Sequence, residues 1–162
     1  MSGRWDENCM SCQSIRGIIR LSNAPRILET LYWVVEHLYP VSIKGWLVLA
    51  LKRHCTAIHE LTTEEMVELG KLTHICSRAL HTIMKTEKEY IIQFSESVGF
   101  AHLHLHIIAR MPQWPDELMG PRVMRAMGDN VDNPLSVEEV TSLALEIREY
   151  LLEHVPTELV VK

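Results

Sequence analysis

The stretch Phe-Ala-His-Leu-His-Leu-His-Ile-Ile-Ala-Arg, from Phe100 to Arg110, sets the tightest limit on what this chain can fold into. His102, His104 and His106 alternate there with Leu103, Leu105 and Ile107. Strand side chains point to opposite faces with a period of two, so a strand here carries three imidazoles on one face and aliphatics on the other. The aliphatic face packs on helices, and the imidazole face then looks into a cleft. Two strand rises set successive imidazoles roughly 6–7 Å apart on that face. At that spacing they can serve different atoms of one bound group, or one can hold metal while its neighbour does chemistry. Histidine suits the roles of nucleophile, acid and base near neutral pH.

The run His102-Leu103-His104-Leu105-His106-Ile107-Ile108 resembles the histidine triad (HIT) signature, His-φ-His-φ-His-φ-φ with φ apolar, at every position. The resemblance implies hydrolysis or transfer of nucleotides through phosphorus chemistry at the middle histidine.

Length and composition are compatible with that reading. The 162 residues suffice for a single domain, 1–162, with its own core, and 47% of them are apolar. The net charge is −5 and no basic stripe appears, which argues against a nucleic-acid surface built on phosphate contacts but leaves room for a small phosphorylated ligand. No apolar run approaches the roughly 20 residues that cross a bilayer, and Met1 to Asn8 is too polar for a signal peptide, so the expected location is cytoplasmic, with no membrane partner. Four cysteines are then expected as thiols or metal ligands.

Cys9-Met10-Ser11-Cys12 is a C-x-x-C pair open to three readings: a redox pair, a disulfide, or a zinc half-site needing two further ligands. From Ala24 to Leu38, β-branched and aromatic residues predict strands with a turn near Glu29–Leu31. Pro40 to Gly45 reads as a loop, and Trp46 to Leu51 as a central strand buried on both faces. Thr56 to Leu61 reads as a short helical turn. Thr62-Thr63-Glu64-Glu65 then opens a long helix to about Lys85, with Met66, Leu69, Leu72, Cys76, Leu80 and Ile83 at helical spacing. Cys76 reads as a core thiol, and His74 and His81 as solvated or flanking that stripe. Glu89 to Ser95 predicts a strand, Ser95 to Gly99 a polar loop, and the triad strand follows. Trp114 to Gly120 reads as irregular and Asp129 to Pro134 as a linker. Ser136-Val137-Glu138-Glu139 caps a final helix to about His154. The order gives an α+β fold: an antiparallel sheet, a long helix packed on it and a C-terminal helix.

That layout is similar to the HIT-like fold, with 1–23 as an N-terminal segment, 24–111 as the core and 112–162 as a C-terminal extension. Lys52-Arg53-His54 after the central strand resembles the family's Pro-Lys-x-His landmark, with Leu51 in the proline's place. In some HIT-fold proteins the C-x-x-C, this histidine and the first triad histidine hold zinc. The resemblance therefore implies a structural zinc on Cys9, Cys12, His54 and His102, with His59 as the competing third ligand. It implies His104 as the nucleophile that forms a nucleotidyl-histidine intermediate on a nucleoside phosphoramidate or dinucleoside polyphosphate. His106 is then a donor to a phosphate oxygen or the leaving group. Gln93, Ser95 and Ser97 would supply further phosphate contacts. The family's Gly-Gln-Ser or Gly-Gln-Thr is replaced here by Ser97-Val98-Gly99-Phe100-Ala101. Glu36 or His37 would hold the ribose where relatives place an aspartate. The family also implies a homodimer. Two alternatives stand beside the enzyme: a non-catalytic zinc-stabilised nucleotide-binding module, and a catalytic metal on the three histidines.

Overall fold

A computed structural model describes residues 5–128 and 131–159. The elements are α1 (Met10–Ile15), β1 (Leu28–Glu29), β2 (Trp33–His37), β3 (Trp46–Leu51), α2 (Thr63–Met84), β4 (Lys88–Ile92), β5 (His104–Arg110) and α3 (Val137–His154), with 3-10 turns between them. The strands form one antiparallel sheet in the order β1-β2-β3-β5-β4. This is the α+β layout expected from the sequence.

Pairing register decides which residues share a face. Val48 lies opposite His106 and Ala50 opposite His104, so these four look the same way. Leu47, Leu49, Leu51, Leu105 and Ile107 look the other way and are buried under the helices with Leu69, Leu72, Ala79, Leu80, Ala144 and Ile147. The alternating triad sequence thus delivers one face to the core and one to a cleft. The central strand departs from the expectation of two buried faces: Val48 and Ala50 are only half-buried, because a cavity rather than a helix covers them.

Local chemistry fixes the helices. Thr62 caps α2 by accepting from the Glu65 amide at 3.2 Å, while Glu65 accepts from the Thr62 amide at 2.9 Å. Lys85 ends the helix in the left-handed conformation (φ 59°). Ser136 and Glu139 form the same reciprocal cap on α3. The α2 stripe differs from the sequence reading at its start. Met66 is half-exposed, while Glu65 and Glu68 are buried. Glu68 is tolerated there because it accepts from the Thr30 hydroxyl at 2.5 Å and the Tyr32 amide at 3.0 Å. Arg53 pairs with Glu65 at 2.6 and 2.8 Å. Cys76 is fully buried, and His74 and His81 are exposed.

The strand read from Glu89 to Ser95 runs from Lys88 to Ile92, and the triad strand begins at His104 rather than Phe100. Before it, Phe100 and His102 donate to the Ser97 and Phe100 carbonyls at 2.8 and 2.7 Å, tight turns that no ladder can continue. Beyond β5, 3-10 turns at Asp116–Leu118 and Gly120–Ala126 carry the extension back to the loop after β2, where the Ser42 amide bonds the Ala126 carbonyl at 2.9 Å and Val41 bridges Met127. Trp46, Ile108, Val123 and Ala126 form a second core there. Asp129 and Asn130 of the expected linker lie outside the described residues. No helix among those described is long and apolar enough to cross a membrane.

Candidate functional site

Because β5 starts at His104, the three histidines do not share one environment. His102 is fully buried, and its ring turns to the N-terminal segment. His104 and His106 line a cavity of about 600 Å³ on the open face of the sheet, their ring centroids 5.0 Å apart.

The His102 side chain belongs to a cluster. One ligand atom each from Cys9, Cys12, His54 and His102 lies within 4.8 Å of all the others. Cys9 Sγ and Cys12 Sγ each stand 3.5 Å from His102 Nδ1, and Cys12 Sγ stands 3.4 Å from His54 Nδ1. A tetrahedral zinc with Zn–S about 2.3 Å and Zn–N about 2.0–2.1 Å has N···S edges of about 3.6 Å, so the donor set fits that ion. The second shell fits as well. His102 Nε2–H donates to the Leu51 carbonyl at 2.6 Å, which leaves Nδ1 with a lone pair aimed at the thiols. His54 Nε2 lies 3.9 Å from Asp6 Oδ2. Burial pushes the Cys12 thiol up to about 11 and the His102 ring down to about 4. His59, the competing ligand in the sequence reading, sits exposed on the Ile58–Glu60 turn and is outside the cluster. Among the described residues the metal-capable cluster includes neither His104 nor His106.

His104 is oriented by main chain. Its Nδ1–H donates to the His102 carbonyl at 2.6 Å, so the Nε2 lone pair is left for the cavity. Burial lowers its pKa, against the opposing pull of that hydrogen bond, which favours the neutral ring. Its amide donates to Ser95 Oγ at 3.3 Å, and Gln93 Nε2 donates to the same hydroxyl at 2.8 Å. Ser95 is buried in the left-handed conformation (φ 57°) and lines the cavity, as does the exposed Ser97. Gln93 reaches the cavity only through Ser95.

His106 is held by Trp46. The indole Nε1–H lies 2.9 Å from His106 Nδ1. Tryptophan can only donate, so Nδ1 accepts and the proton of the neutral ring sits on Nε2. Burial, with His104 alongside, pushes the His106 pKa down to about 4.

At the far wall, Glu36 lines the cavity and pairs with Arg26 at 2.9 Å. His37 is placed differently from the sequence reading. Its Nδ1–H donates to the Leu38 carbonyl at 2.8 Å and its Nε2 accepts from the Gly45 amide at 3.1 Å, so neither ring nitrogen is free for a ribose hydroxyl. The ring spends itself closing the β2–β3 loop. The sequence reading missed other walls: Met10, Ser11 and Ser14 of the N-terminal segment, Phe94 and Phe100, and Met124 and Met127 of the extension. Trp46 was also missed; only the pairing of Val48 with His106 and of Trp46 with Ile108 puts it on the histidine face.

No family model and no curated protein matches the sequence. Solved structures do match. A Hit-like protein involved in cell-cycle regulation from Bartonella henselae aligns over 91% of this chain and 98% of its own, at 20% identity and TM-score 0.68. A zinc-bound histidine triad family protein from Mycobacterium smegmatis aligns over 90% and 94%, at 16% identity and TM-score 0.61. A hypothetical histidine triad nucleotide-binding protein from Sulfolobus tokodaii aligns over 90% and 93%, at 21% identity and TM-score 0.66.

Proposed function

On a chain with the histidine triad fold, we propose a nucleotide hydrolase or nucleotidyl transferase in which His104 attacks the α-phosphorus of a bound nucleotide. The observation that carries this reading is the 2.6 Å bond from His104 Nδ1 to the His102 carbonyl, which leaves Nε2 as a fixed lone pair at a cavity large enough for a nucleotide. The Nε2 pair forms the P–N bond as the bond to the leaving group breaks, giving a nucleotidyl-histidine. Water then attacks phosphorus, the P–N pair returns to His104, and a nucleoside monophosphate departs. His106 Nε2–H is a donor to charge developing on a phosphate oxygen. Ser95 and Ser97 lie along the same wall, and Glu36 is the remaining acceptor for ribose hydroxyls.

Zinc on Cys9, Cys12, His54 and His102 completes the reading. With four protein ligands it has no open position and supplies folding energy rather than chemistry. It would tie α1, whose Met10, Ser11 and Ser14 line the cavity, to the start of the triad strand. The reading also includes a homodimer, which would sediment at twice the 18.7 kDa of the chain.

One observation favours the binding-module alternative: the Ser95 hydroxyl is already engaged by Gln93 and His104. A single experiment separates the two. Metal content is measured together with turnover of adenosine 5′-phosphoramidate and of diadenosine tetraphosphate, for wild type and His104→Ala. Turnover of either substrate that vanishes in the variant supports the enzyme. Nucleotide binding by calorimetry without turnover replaces it with the binding module.

A further inference from the structure

We propose that Trp46 is a positioning residue that locks His106 as a neutral Nε2–H donor, so that this site expels only leaving groups able to depart without taking a proton from His106. The inference rests on the enzymatic reading above and narrows its substrate class to anhydrides: a phosphoanhydride, or the mixed anhydride of a nucleotide with a carboxylic acid.

The geometry is restrictive. Trp46 Nε1–H points at His106 Nδ1 from 2.9 Å, Trp46 is wholly buried and His106 is 5% exposed. The two rings meet edge to face at 88°, with centroids 5.8 Å apart. A general acid must be able to hold a proton on both nitrogens and give one up. Imidazolium here would set Nδ1–H against an indole N–H, two donors facing each other with no acceptor between them. Turning the ring over exchanges Nδ1 for a carbon and leaves the indole N–H buried and unpaired. The sheet holds both partners in place, since Trp46 pairs with Ile108 and Val48 pairs with His106 on adjacent central strands. If neutral His106 gave its only proton to a leaving group it would become imidazolate, an anion that a single hydrogen bond from the neutral indole does not stabilise enough to form near neutral pH. It therefore donates a hydrogen bond without transferring the proton.

The step balances without an acid. The His104 Nε2 pair forms the bond to phosphorus, and the bond to the leaving oxygen breaks with its pair going to that oxygen. A phosphate or carboxylate leaves as a stable anion. An alkylamine would have to leave as an amide anion, because His106 does not give it a proton.

Two measurements test this. The first is ¹⁵N NMR of the histidine rings in the wild-type protein. His106 is expected to show a pyridine-like Nδ1 and a pyrrole-like Nε2, and Trp46→Phe to collapse that difference into a tautomer mixture, which a merely space-filling tryptophan would not do. A pyrrole-like Nδ1 in wild type overturns the proposal. The second is a series of nucleoside 5′-monophosphate aryl esters with phenols of graded acidity, run beside diadenosine tetraphosphate and a nucleoside N-alkylphosphoramidate. The rate is expected to fall by up to about tenfold per unit of leaving-group pKa, with the alkylphosphoramidate at least about 10²-fold below the anhydride, the usual worth of a missing general acid. A flat series, or an alkylphosphoramidate cleaved as fast as the anhydride, overturns the proposal while leaving the enzymatic reading intact. If nothing in the series turns over and His104→Ala changes nothing, the enzymatic reading itself fails and this inference falls with it.

Discussion

The Gly45 amide donates to His37 Nε2 at 3.1 Å, tying the end of the β2–β3 loop to a buried imidazole. Gly45 has φ of +76°, and a Cβ there would meet Met84 Sδ at 2.6 Å and Ala109 Cβ at 2.7 Å. Met84 can swing away, but the Ala109 methyl is fixed to β5. Gly45→Ala should therefore cost about 2–5 kcal/mol, combining left-handed strain with overpacking. Urea unfolding reads this out, and a loss under about 1 kcal/mol would show that β5 shifts freely to make room.

Buried neutral imidazoles make stability depend on pH. His106, pushed by burial to about 4, and His37, also lowered by burial, resist protonation when folded but accept protons near 6.5 when unfolded. The unfolded chain binds more protons in that window, so stability is full above about 6.5 and declines as pH falls toward 4. The His106 share is on the order of 3 kcal/mol. Glu65, which the Arg53 guanidinium holds below the usual carboxylate range, adds its loss only at lower pH. Unfolding free energies at pH 7.5 and 5.0 should differ clearly in wild type and less in His106→Gln. An equal difference in both would remove His106 from the account.

Metal content is the next check. Protein purified without chelator should carry one zinc per chain, and Cys12→Ser should lose it, since that thiol contacts both histidines of the cluster. Chelation should lower the melting temperature, because the binding free energy of a closed four-ligand site contributes to folding. A melting temperature unmoved by chelator, with zinc gone, would mean the cluster holds itself together through packing alone.

Ser95 offers a sharper probe of the setting of His104. Its hydroxyl accepts both the His104 amide and the Gln93 side-chain amide. Ser95→Ala leaves those donors unpaired beside a buried position and should cost about 1–3 kcal/mol. Ser95→Gly relieves the positive φ and should be the less destabilised of the two. The reverse order in chemical denaturation would show that the left-handed backbone at this position costs little.

The sequence carried the parts of this molecule that depend on short-range pattern. The alternation through His104 to Ile108 specified a strand with one core face, and Thr62-Thr63-Glu64-Glu65 marked the start of α2, with Thr62 the residue that caps it. Partnerships across the fold were less readable. His37 stood at a plausible ribose position, and only the folded β2–β3 loop shows that both its nitrogens are taken by main chain. Glu68 broke the apolar stripe of α2 because its acceptors are satisfied by Thr30 and Tyr32, more than thirty residues away. The turns at Phe100–His102 are set by backbone hydrogen bonds that no alternation encodes. Met124 and Met127 gave no signal at all, since an irregular segment has no period to place it against the cavity.

His102 presents its ring to Cys9 and Cys12 and its carbonyl to His104, so one residue belongs to two centres. Four bonds separate the imidazole from that oxygen. Whatever grips the ring therefore also sets the angle at which His104 is held. The spacing between the first two histidines then behaves as a mechanical linkage, with its fixed end at the N-terminal segment and its working end in the cavity. Lengthening that spacing by one residue, with both imidazoles retained, would disconnect grip from aim, and a chain so altered would keep every side chain of the signature while losing its geometry.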